Sequence, residues 1–154
     1  MGLVAAAGCQ AGSGGGTSQA PRARLELVDA PATSDAAATI AALLPAAARD
    51  HKHLVVYVGA TWCEPCRYFH DAAAAGQLDD QLGDLRVVTF DIDRDGAALG
   101  AAGYVSEMIP LFAIPRSDGH ATGDQIAGSI KGSGAAQQIT PRLRALVDHT
   151  PQPP

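Results

Sequence analysis

An excess of positive charge is missing from this chain. Eleven Lys and Arg stand against 16 Asp and Glu, a formal net charge of −5. The electrostatic footprint of a nucleic-acid binder is therefore absent. Long apolar runs are missing as well. No stretch reaches the roughly 18 apolar residues that a membrane-spanning helix needs. There is no internal repeat, and 154 residues are enough for one domain with its own hydrophobic core. Cysteine is scarce: Cys9, Cys63 and Cys66 are the three present. A structural zinc site takes four ligands. Cys63, Cys66 and His70, four residues further along the same helical face, supply at most three, so no metal and no other cofactor is expected. "DIDRDG" has the opening of a calcium loop at Asp91, Asp93, Asp95 and Gly96, but Ala102 stands where the closing Glu belongs.

What is present begins with a low-complexity start. Residues 1–22 run from "MGLVAAAGCQ" into a Gly/Ser-rich stretch, and Gly12 to Gly16 lack the strand and helix that would make them a phosphate loop. Ala6-Ala7-Gly8-Cys9 resembles the lipobox of bacterial lipoproteins. That resemblance implies acylation of Cys9, a true start codon upstream, and a tether to the bacterial cell envelope. The alternative is an incidental cysteine in a frayed N-terminus of a cytoplasmic protein.

The globular pattern covers residues 23–149, and residues 150–154 read as a disordered tail. "ARLELVDA" alternates like a strand. Ser34-Asp35 precedes a helical pattern with Ile40, Leu43 and Leu44 on one face, which Pro45 is expected to kink or divide. "HLVVYVGA" is a β-branched apolar run, the mark of a strand buried on both faces. A helix follows from Cys63 to Ala75, and "QLDDQLGD" adds a short turn or helix. "LRVVTFDID" is a second buried strand, after which Asp95 is placed as the cap of a short helix. "PLFAIPRSDGHATGDQIAGSIKG" reads as a hairpin turning at Ser117-Asp118-Gly119. Thr140 and Pro141 are placed at the start of the last helix, with Leu143, Leu146 and Val147 inward. The order β-α-β-α-β-α-β-β-α calls for parallel strands with crossover helices and a closing antiparallel hairpin.

The Cys63-Glu64-Pro65-Cys66 stretch sits at the start of a helix, directly after a buried strand. A disulfide there would close too small a loop to stabilise much by chain entropy. Redox chemistry suits the position better. The partial positive charge of a helix N-terminus favours the thiolate of the first cysteine, and the second, a turn deeper, attacks the mixed disulfide once it forms.

Over residues 23–149 the chain resembles the thioredoxin superfamily. "LVVYVGATWCEPCR" is similar to the family's strand and Trp-Cys-X-Pro-Cys motif, and "MIPLFAI" to its Ile-Pro landmark. The resemblance implies an α/β thioredoxin fold: a central mixed sheet flanked by helices, with an antiparallel C-terminal hairpin. It also implies a thiol–disulfide oxidoreductase with Cys63 as nucleophile and Cys66 as resolving cysteine. Trp62 would cover the sulfurs, Pro65 would pre-set the first helical turn, and Ile109 and cis-Pro110 would hold the substrate chain. Gly132 fits the last strand-to-helix turn. Implied partners are protein disulfide substrates and an unidentified electron donor, with no nucleic acid, a monomeric chain, and membrane contact only through a lipid anchor. The 47 positions between Cys63 and Pro110 match plain thioredoxin, or the C-terminal periplasmic domain of a transmembrane disulfide-interchange reductase. They leave no room for the insertion found in cytochrome c maturation reductases.

The sequence also departs from the family. Tyr57 replaces the buried acid six residues before the first cysteine, and Asp71 stands near the place of a helix-kinking proline. Glu64 puts a negative charge between the cysteines. That charge is expected to oppose the helix N-terminus at Cys63, which favours a reductase role over an oxidase. An oxidase or isomerase of the same fold, and a low-turnover binding module, remain the alternatives.

Overall fold

In the computed structural model, Gly2 and residues 23–150 are described. The lipobox-like Cys9, the rest of the Gly/Ser-rich start and the final residues 151–154 lie outside them. The elements run β1 (Glu26–Asp29), α1 (Ala36–Arg49), β2 (His53–Gly59), α2 (Glu64–Ala74), α3 (Asp79–Leu82), β3 (Leu85–Asp91), α4 (Ile92–Ala101), β4 (Leu111–Pro115), β5 (Ala121–Ala127) and α5 (Ala135–His149).

One five-stranded sheet has the order β1-β3-β2-β4-β5. β3 pairs in parallel with both β1 and β2, with Val55 opposite Val87. β4 runs antiparallel to β2 and β5, with Val56 opposite Ala113 and Leu111 opposite Ala127. The mixed sheet and closing hairpin are those expected from the sequence.

Successive strand residues point to opposite faces, and here both faces are covered. Val55, Tyr57, Val87 and Phe112 share a core with Phe69 of α2 and Ile139 and Leu143 of α5. Leu54, Val56, Val58, Val88 and Leu111 share the opposite core with Ile40 of α1 and Leu99 of α4. Burial on both sides explains why β2 is apolar at almost every position.

Three local expectations are corrected. Helix α4 is capped by Asp91, not Asp95: Asp91 Oδ1 accepts from Asp93 N at 2.8 Å and Arg94 N at 3.3 Å. Asp95 lies inside the helix and is buried. The Arg94 guanidinium grips both its oxygens at 2.7–3.0 Å and holds its carboxyl below the usual range. Helix α5 begins at Ala135, six residues before Pro141. Ala136, Ile139, Leu143 and Val147 form a buried stripe that carries the helix through a proline read from sequence as its first residue. Thr140 does not cap it; its hydroxyl donates to Ala136 O at 2.8 Å. Helix α1 likewise continues through Pro45 rather than dividing there.

Candidate active site

Strand β2 ends at Gly59, and a turn through Ala60, Thr61 and Trp62 delivers Cys63. The Cys63 N–H donates to Ala60 O at 3.1 Å. Cys63 has extended backbone (φ −80°, ψ 107°) and is the N-cap of α2. Its Sγ accepts from the Cys66 N–H at 3.3 Å. Pro65 falls within the first turn, where a missing N–H costs nothing because that donor has no partner in the helix. Cys63 and Cys66 form a disulfide with Cα atoms 5.2 Å apart. Both are almost fully buried, 5% and 3% exposed. The two differ in position: the Cys63 sulfur caps the helix, where an amide N–H points at it, and Cys66 lies in the first turn.

The Ile109–Pro110 bond is cis. Pro110 is buried, and its carbonyl accepts from Gly128 N at 2.9 Å. Ile109 is half-buried against the core that contains both cysteines. Large apolar side chains are exposed at Trp62, Val105, Met108 and Ile130.

Two features of the site come from contacts distant in sequence, Trp62 with Asp93 and Glu64 with Gly132. The Trp62 indole is 67% exposed, and its Nε1 donates to Asp93 of α4 at 2.8 Å, so the ring expected to cover the sulfurs is tied to α4. Gly132 has φ +86°, a left-handed conformation that favours glycine. Its N–H donates to Glu64 Oε1 at 3.1 Å. The motif's own carboxylate is thus joined to the loop between β5 and α5. Arg67 is exposed, paired with Asp71 at 3.8 Å and stacked over Tyr68.

Sequence reasoning passes over His70 except as a poor metal ligand. It lies one helical turn beyond Cys66, and its ring meets the Tyr57 ring edge-on at 5.0 Å. Tyr57 also packs on Phe69 and Phe112. Burial raises the Tyr57 phenol well above its ordinary pKa, helped by the charge of Asp91. Burial pushes the His70 imidazole down, against the opposing charges of Asp29 and Asp71. A cleft of about 490 Å³ reaches Cys66, Tyr57 and His70. Among the described residues, no group of three or more His, Cys, Asp or Glu is placed to hold a metal.

No protein-family model matches the chain. A TPR repeat-containing thioredoxin of Arabidopsis thaliana is 36% identical over 88 residues. The match covers 57% of this chain and 22% of that protein, so the chain spans under a quarter of its relative's length. Among solved structures, a Trichomonas vaginalis thioredoxin is 23% identical with a TM-score of 0.49, covering 80% of this chain and 97% of that one. A poplar thioredoxin h is 20% identical with a TM-score of 0.49, covering 82% and 99%. The described chain is thus an α/β domain with the Cys63–Cys66 disulfide at the N-terminus of α2, similar in local sequence to a thioredoxin over 88 residues.

Proposed function

We propose that this protein is a thiol–disulfide oxidoreductase that reduces disulfides of other proteins. The observation that carries the reading is the Cys63 sulfur at the α2 N-cap, accepting the Cys66 N–H and bonded to the Cys66 sulfur. In the reduced protein the helix N-terminus and that N–H favour the Cys63 thiolate. The thiolate attacks one sulfur of a substrate disulfide, forming a mixed disulfide and expelling the other sulfur as a thiolate. Cys66 loses its proton and attacks the Cys63 sulfur, expelling the second substrate thiolate and restoring the internal disulfide. Two electrons pass from the protein dithiol to the substrate, and an external dithiol must return them.

The reductant direction is supported by the Glu64 carboxylate at the first helical position, where its charge disfavours a second anion nearby. The exposed Trp62, Met108 and Ile130 suit an extended peptide chain better than a small polar disulfide. We further place the protein at the bacterial cell envelope, on the lipobox-like sequence around Cys9, served by a membrane-spanning electron donor.

Insulin reduction driven by dithiothreitol tests the activity: turnover should require both Cys63 and Cys66. Absence of turnover with an intact fold would leave a binding module. A potential in the range of strong oxidants, about −120 mV rather than about −270 mV, would reverse the proposed direction. Labelled palmitate fed to cells making the full precursor should acylate Cys9, and an unlabelled cytosolic product would refute the envelope setting.

A further inference from the structure

We propose that His70 is the base that takes the proton from the Cys66 thiol when Cys66 resolves the mixed disulfide, through the cleft that reaches both residues. The inference rests on the oxidoreductase reading and concerns its second step. Cys66 is 3% exposed, and a buried thiol resists ionisation. Yet resolution requires its thiolate, because the thiol is not the nucleophile. A route for the proton must therefore exist.

The cleft supplies the route. Its lining includes Cys66 but not Cys63, so it opens onto the resolving cysteine and not onto the nucleophile. His70 is well placed to receive the proton. Residues four apart on a helix lie on one face, which puts the imidazole over the same side of α2 as Cys66. Neither ring nitrogen of His70 makes a hydrogen bond to the described residues. A water in a cleft of about 490 Å³ would bridge the thiol and the ring without cost to the packing.

The other groups around the ring are poorer acceptors. From β1, Asp29 accepts the Thr89 hydroxyl at 2.6 Å. At the end of β3, Asp91 caps α4. Arg67 and Arg94 have no acceptor. Asp71 of α2 is exposed and paired with Arg67. The Tyr57 phenol from β2 stays protonated, since burial raises its pKa. Burial holds His70 neutral near pH 7, so it has a free lone pair. The thiol proton passes to that lone pair, and the Cys66 thiolate attacks the Cys63 sulfur. The substrate sulfur leaves with the electron pair of the mixed disulfide. The imidazolium then returns its proton to water through the cleft mouth.

Rapid mixing with an aryl disulfide that releases a coloured nitrobenzoate thiolate separates the two steps. Attack by Cys63 gives a first release that scales with reagent concentration. Resolution by Cys66 gives a second release that does not. General-base assistance is worth about 100-fold or more. His70→Ala and His70→Asn should therefore slow the second release about 100-fold near pH 7 and leave the first unchanged. In both variants the second rate should rise with pH up to the thiol's own ionisation, and added imidazole should restore it in His70→Ala. Second-release rates that superimpose on wild type from about pH 5 to 9 would overturn the proposal, as would equal slowing of both releases, which marks a structural defect. A wild-type protein that releases only one thiolate would overturn the oxidoreductase reading itself.

Discussion

Tyr57 stands where a charged group would be expected, and the structure shows what it requires of its neighbour. A Cβ built on Gly59 would fall onto the Tyr57 hydroxyl and lie 2.7 and 2.8 Å from Cζ and Cε1 of its ring. The ring cannot swing aside freely, because Phe69 and Phe112 pack against it at centroid distances of 6.2 and 5.1 Å. Overpacking of this kind costs about 1–3 kcal/mol. Gly59 does not occupy the left-handed region, so alanine there also gains about 0.4–1 kcal/mol by restricting the unfolded chain. Gly59→Ala should therefore destabilise the oxidised protein by about 1–2 kcal/mol.

Two second-site backgrounds sharpen the test. Tyr57→Phe removes only the hydroxyl and leaves the two ring carbons below any normal contact distance, so relief should be partial. Tyr57→Val removes the ring at a cost of about 3–5 kcal/mol, and in that background Gly59→Ala should become neutral or mildly stabilising. The coupling between the sites is then about 1–3 kcal/mol, within the range for residues in contact. Urea denaturation of the oxidised wild type, the two single variants and the double variant, followed by far-UV circular dichroism, measures it. Equal costs of Gly59→Ala in the wild-type and Tyr57→Val backgrounds would refute the reasoning.

Other outcomes are expected. Glu64→Gln keeps an oxygen for the Gly132 N–H but removes the charge, so the Cys63 pKa should fall by under about one unit and the potential should rise by about 10–30 mV. Glu64→Ala should add a stability loss of about 0.5–1 kcal/mol from the lost hydrogen bond; a glutathione redox titration with urea melts separates the two effects. His70 has its pKa lowered by folding, so the unfolded chain binds its proton first as pH falls. Stability should then decline as pH drops below about 6.5, by at most about 1.4 kcal/mol per pH unit. His70→Asn should remove that slope from urea melts between about pH 7 and 5. In the reduced protein, limiting alkylating reagent should label Cys63 before Cys66, and the opposite order by peptide mapping would exchange their roles.

What sequence reveals and what it hides follows from distance along the chain. The apolar run of β2, the helix after Cys63 and the turn near Gly119 are written in neighbouring residues, so pattern and turn chemistry suffice to place them. The pairing of Glu64 with Gly132 and of Trp62 with Asp93 spans 68 and 31 positions, and no local rule joins them. Helix starts fail for a different reason. Pro141 looks like a first residue, and Asp95 looks like a cap, but tertiary burial outweighs both signals: the stripe through Ala136 and Ile139 extends α5 backward, and Arg94 draws Asp95 inward. His70 is visible at its i+4 spacing from Cys66. Its meaning depends on the cleft, which only the packed sheet creates.

The hydrogen bond from Trp62 to Asp93 has a practical side. Trp62 is the chain's single tryptophan, adjacent to Cys63 and tethered to a carboxylate on another helix. Its indole emission therefore carries no background from elsewhere in the molecule. A neighbouring disulfide quenches an excited indole and a dithiol does so much less, so the emission of the unlabelled protein should rise on reduction. The Asp93 anchor restricts the ring, so Asp93→Asn should alter the emission. Under the proposed oxidoreductase function, fluorescence anisotropy would then report a substrate chain settling against the exposed indole, before any sulfur has exchanged.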